Sequence, residues 1–224
     1  MLRPRKHLSK KELKEDKLVT FYAQLTAWLE NYKMYLVAGI AALAVIVLGV
    51  YFYSQSSKSA EKDASVELTK ATRAYESSDL STAIPMLTSL VEKYGHTASG
   101  NLGRFYLANA LFQNKEFDKA KAYYDKFASS FKGDDYFRSA AFGGVAACLE
   151  EKKQYEDAAK AYERAAEKFE KSAQEATFLF KAGRCYLLAN KAEKAKGLFQ
   201  KIVDGFPKAP ERDEALVQLS LLGF

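Results

Sequence analysis

The chain is short of the residues from which active sites are usually assembled. It has two histidines, His7 in a basic N-terminal arm and His96 in a loop. Neither can gather a nucleophile and a carboxylate into one catalytic set. No HExxH helix and no phosphate-cradling glycine loop occurs. The two cysteines, Cys148 and Cys185, make no disulfide framework and lack the paired spacing of a zinc site. They are expected as small buried apolar side chains; a disulfide between them is the alternative in an oxidising compartment, but equivalent sites on stacked helices lie about 9–10 Å apart, beyond bridging distance. Carboxylates are plentiful but stand one turn from lysines, as in "EDAAK", the spacing of solvated pairs. No enzyme activity, cofactor or metal is expected. Proline is scarce too, four in 224 residues, while Ala, Leu, Lys and Glu abound, so the expected class is all-α.

Charge is missing altogether from residues 34–53, MYLVAGIAALAVIVLGVYFY. Twenty helical residues at about 1.5 Å each match the ~30 Å hydrocarbon core of a bilayer. Trp28, Tyr32 and Tyr35 precede the run and Tyr51, Phe52 and Tyr53 follow it, the belt expected at headgroup level. The apolar run is too long for a cleaved signal peptide and no small-x-small site follows it, so an uncleaved signal anchor is expected. Residues 1–33 hold eight Lys/Arg against four acids, whereas residues 54–73 hold four Lys/Arg. The positive-inside rule then leaves the N-terminus in the cytoplasm and exports the rest. Of the formal net charge of +6, little lies beyond the span, where 26 basic side chains face 24 acidic ones. The basic excess sits beside the membrane, where anionic lipid accounts for it, and no nucleic-acid partner is expected. Within the arm, "SKKE" at 9–12 has capping-box spacing. Leu18, Phe21, Tyr22, Leu25, Trp28, Leu29 and Tyr32 recur at helical spacing, as an interfacial helix or as a longer anchor helix. Residues 54–63, SQSSKSAEKD, are expected to be a short polar linker.

From residue 64 onward the sequence repeats. Ala83, Ala120, Ala158 and Ala195 superpose at intervals of 37, 38 and 37. Leu87, Tyr124, Tyr162 and Phe199 stand four residues after them, and Ala71, Ala108, Ala146 and Gly183 twelve before, each small enough for two helices to cross closely. A period of this length signals stacked helical hairpins, each burying its neighbour's apolar stripe. With Ala182, Gly183 and Tyr186 in "LFKAGRCY", and Ala195, Phe199 and Pro207 in the helix after it, the sequence resembles the tetratricopeptide repeat family over residues 64–207. A closing helix is expected at 211–222, and Pro85 is expected in the first turn of the first unit's second helix, where proline is tolerated. The spacing exceeds the usual 34 and is similar to variants from Gram-negative envelope proteins. In layout the chain is also similar to the membrane-anchored ancillary subunit of the bacterial Sec translocon.

The expected architecture is therefore a basic arm (1–33), one span (34–53), a linker (54–63) and an α-solenoid of about four hairpins plus a closing helix (64–224). The resemblance implies a protein-binding scaffold in the bacterial inner membrane with its repeats in the periplasm, and partners that are proteins and the lipid bilayer. It places a binding groove along the first helix of each hairpin: Tyr75; Phe105, Asn109 and Phe112; Gly143 and Ala147; Phe180, Arg184 and Leu187. Large residues in units two and four flank small ones in unit three, which should leave a depression with Asn109 and Arg184 at its rim. Phe105 stands where a carboxylate clamp needs lysine, which disfavours a chaperone tail as ligand. The rival expectation is a self-associating structural protein, with Ala38 and Ala42 as a small-xxx-small pair in the span and apolar residues of the closing segment exposed. For the groove aromatics, packing within the solenoid is the competing expectation.

Overall fold

The structure, a computed structural model, describes residues 10–223, with side chains from residue 17 onward. The capping box at 9–12 lies outside the described side chains. All regular elements described are helices: α1 (Lys10–Glu76), α2 (Leu80–Tyr94), α3 (Ala98–Gln113), α4 (Phe117–Ser130), α5 (Asp135–Glu151), α6 (Tyr155–Lys168), α7 (Glu175–Leu188), α8 (Ala192–Gly205) and α9 (Glu211–Leu221). Two compact units divide the chain, one up to Ser56 and one from Ser57.

In the first unit α1 carries the apolar run. The helix Lys17–Glu76 contains an 18-residue window of mean hydropathy 2.4, none of it buried, and is long and apolar enough to cross a membrane. Residues 54–63, expected as a short polar linker, are helical and continue α1. The reason is composition: between Gly49 and Pro85 there is no glycine or proline, so nothing in that polar stretch breaks the helix.

The second unit is a succession of hairpins. The last part of α1 shares a core with α2 through Ala71, Ala83 and Leu87; then α3 pairs with α4, α5 with α6 and α7 with α8, and α9 closes on α8. Each hairpin turns in the same way. Ser78, Lys115, Lys153 and Asn190 have φ of 61°, 62°, 60° and 58°, the left-handed conformation. Their N–H groups donate to Tyr75, Phe112, Glu150 and Leu187, and the next N–H donates to Ala74, Leu111, Leu149 and Tyr186. This is the Schellman arrangement, which satisfies two carbonyls at the end of each first helix. It recurs at the intervals of the alanine frame.

The core follows that frame. Ala71, Ala83, Ala108, Ala120, Ala146, Ala158 and Ala195 are fully buried, as are Leu87, Phe199 and, nearly, Tyr124 and Tyr162. A Cβ on Gly183 would lie 2.6 Å from the Phe199 ring, so only glycine lets α7 and α8 approach this closely. Pro85 sits in the second turn of α2, not the first, and is exposed. There it removes one helical hydrogen bond, to the Ser81 carbonyl, on the side where water can replace it. Cys148 and Cys185 are buried and free. Burial pushes both thiols up to about 12, so neither offers a thiolate nucleophile near neutral pH.

Candidate functional site

Unit three lacks bulk where its neighbours have it, and a depression opens there. Ala140, Gly143, Gly144 and Ala147 of α5 form its floor; Gln174, which caps the start of α7, and Thr177, Phe178 and Lys181 of α7 form the opposite wall, enclosing about 300 Å³. Spacing of three and four residues puts the α5 group on one stripe of that helix. Phe178 leans across: a Cβ added to Gly143 would lie 2.9 Å from its ring. The ring also stacks on Tyr162, with centroids 6.5 Å apart and planes at 26°. Lys181 reaches over the Tyr162 ring, 5.7 Å from its centroid. The Tyr162 hydroxyl donates to the Glu150 carboxylate at 3.0 Å, and burial together with that carboxylate raises its pKa.

The wall is held from both sides. The Ser139 hydroxyl donates to the Gln174 side-chain carbonyl, tying α5 to the start of α7. The Thr177 hydroxyl donates to Glu211 of α9 at 2.5 Å. The depression therefore sits on fixed elements, with an apolar floor, one aromatic wall and one exposed ammonium. It can accept an apolar side chain, or one face of a helix, and leave a carboxylate of the guest near Lys181.

The residues expected from sequence are distributed differently. Gly143 and Ala147 line the depression. Arg184 is exposed on α7, one turn beyond Lys181. Phe180 is a correction: it is buried in the core with its ring 5.6 Å from Phe199. Phe105 is likewise turned inward, its ring within 6.1 Å of Tyr106, Tyr124, Phe127 and Phe137. Phe112 is half-buried against Phe117, 5.4 Å away, and Leu187 is half-buried against the core of the last two hairpins. Tyr75 accepts from Gln113 at 2.7 Å and packs edge-on to Tyr106. Asn109 accepts from the Tyr124 hydroxyl, so its side chain serves the hairpin. The competing expectation, that the aromatics pack within the solenoid, describes Phe105 and Phe180.

Phe178 and Lys181 were not anticipated. Phe178 lies two residues from Phe180, about 200° around the helix at 100° per residue. What could have revealed it is Gly143 itself. A glycine in mid-helix opposite an aromatic-bearing helix costs about 1 kcal/mol and asks what approaches it.

Comparison with known proteins agrees with this fold. A crystal structure of a tetratricopeptide repeat protein from Parabacteroides merdae matches at a TM-score of 0.58 and 16% identity, over 70% of this chain and 59% of that one. A Podosopora anserina putative kinesin light chain with nearly identical TPR-like repeats matches at 0.56 and 16%, over 70% of this chain and 83% of that one. These likenesses are of fold. No curated protein matches the sequence. The model of the tetratricopeptide repeat-like domain matches residues 26–222, and with that coverage the chain belongs to the tetratricopeptide repeat-like family.

Proposed function

We propose that the protein is a membrane-anchored interaction scaffold of the bacterial cell envelope. The apolar run of α1 anchors it in the inner membrane, its N-terminus faces the cytoplasm, and its repeats lie in the periplasm. The distribution of Lys and Arg about the span supports that orientation. The depression between α5 and α7 takes a bulky apolar side chain or a helix face from a partner engaged in protein translocation or envelope assembly. The observation carrying this reading is the floor of Ala140, Gly143, Gly144 and Ala147 under the Phe178 ring.

Ala147→Trp tests it. The substitution fills the depression from a half-buried position, so helical circular dichroism should persist while crosslinking in native membranes recovers less partner. Undiminished recovery of the partner removes the site. Protease added to cells with permeabilised outer membranes should digest the repeats and spare the arm; digestion from the cytoplasmic side alone overturns the orientation.

A second reading, self-association, is favoured by α9. Ala215 and Leu219 face inward, while Leu216, Val217 and Leu221 are 41%, 55% and 75% exposed. Crosslinking that recovers only further copies of the chain would select it.

A further inference from the structure

We propose that a second cleft, between α4, α5 and α6, binds an acidic peptide segment of a partner protein, one that carries a carboxylate next to an apolar side chain. The cleft encloses about 480 Å³ and is lined by Arg138, Phe142, Arg164 and Lys168, with Asp125 and Ser129 on the α4 side. It uses the opposite side of α5 from the first depression. Phe142 and Gly144 are about 200° apart around the helix, as are Val145 and Gly143. A guest in one cleft leaves the other open.

Three cations meet one carboxylate here, and that carboxylate is already engaged: Lys121 holds Asp125 at 2.8 Å. Arg138 gives one nitrogen to Asp135 at 2.8 Å, while its Nε is buried without a hydrogen-bond partner. Among the described residues neither Arg164 nor Lys168 pairs with a carboxylate. Arg164 spends only its Nε, on the Lys160 carbonyl, which leaves the paired end of its guanidinium free. Lys168 rests 5.1 Å above the Phe142 ring, and Arg138 5.9 Å from the Phe169 ring. The aromatic faces hold the cations apart over an apolar floor.

That combination selects the guest's chemistry. A guanidinium with a free fork matches a planar carboxylate with two parallel hydrogen bonds. The volume exceeds what a lone anion fills, and Phe142 and Val145 offer the remainder to an aliphatic or aromatic neighbour. A buried, unsatisfied Arg138 donor adds a reason for an acceptor to be welcome.

The test uses the full chain in neutral-detergent micelles and titration calorimetry with the peptide acetyl-Leu-Glu-Phe-Glu-Leu-amide. Its Gln-for-Glu counterpart should bind at least ~10-fold more weakly, as charge-assisted hydrogen bonds are lost. Arg164→Gln combined with Lys168→Gln, both at exposed positions, should bring the acidic peptide down to the neutral one, and Lys208→Gln should leave it unchanged. Added salt should weaken the acidic peptide alone. Equal binding of the two peptides, no binding of either, or an unaffected double variant with intact circular dichroism would overturn the proposal. So would binding of inorganic phosphate or phosphatidylglycerol vesicles in place of the acidic peptide, since the cleft would then serve a free or lipid phosphate.

Discussion

Units two and three of the solenoid share one frame and use it in opposite ways. In unit two, α3 presents Phe105 to a cluster with Phe127 and Phe137, and Phe131 stacks on Phe127 at 4.5 Å. At the equivalent position of unit three stands Gly143, and the space it leaves is roofed from α7 by Phe178. The depression is thus an omission: a position filled in one repeat is vacated in the next, while the alanine frame that holds the helices together is left untouched.

The contrast can be broken most forcefully from the filled side. Phe127 is fully buried, and Phe127→Ala should cost about 3–5 kcal/mol in denaturant unfolding, since the surrounding rings cannot close the cavity. Ala147, at the vacated side, should tolerate small substitutions at little cost. Next come two glycines of the fourth unit. Gly183→Ala drives a methyl into the Phe199 ring and should destabilise by roughly 1–3 kcal/mol. Gly197→Ala meets nothing within 4 Å and should stabilise by about 0.5–1 kcal/mol through helix propensity alone. The paired melts separate close approach from propensity within one hairpin.

The hairpin turns give a smaller effect with a definite sign. Lys153 holds a left-handed conformation that a β-carbon disfavours, so Lys153→Gly should raise stability by up to about 1 kcal/mol. The same change at Asn190 should gain less, because asparagine tolerates that region. A loss at both sites would mean that the side chains, not the backbone, hold the turn. Smallest is an exposed ion cluster. Hydrogen bonds from Lys191 and Lys160 lower the Glu156 pKa to about 2 from an ordinary 4.5. Its contribution is therefore full above 4.5 and fades as pH falls from there toward 2. Glu156→Gln should flatten that part of the stability profile by an amount near the resolution of thermal melting, as fits a solvated pair.

The fold was legible because its signal is repeated. Four alanines, four bulky partners and four small crossing residues recur at one period, and a pattern sampled four times survives local irregularity. The turn residues carried no such signal, since Ser78, Lys115, Lys153 and Asn190 share a conformation and no chemistry. Residues 54–63 look like a linker by polarity, yet lack any residue that ends a helix. The site was legible in its floor and not in its wall. Gly143 and Ala147 are small wherever the helix turns them, whereas the fate of an aromatic depends on what stands opposite. Phe180 found Phe199, while Phe178, equally buried, turned the other way and lies against the backbone of Gly143.

The way the helices dock has a consequence for how the solenoid forms. Each packs chiefly on the helix before and the helix after it, and the longer contacts, α3 with α5 and α7 with α9, reach past a single helix. Contact order is therefore low, and loop closure never waits for the far end of the chain. A polypeptide delivered end-first can complete one hairpin while the next is still being made, with the unfinished edge always one helix wide.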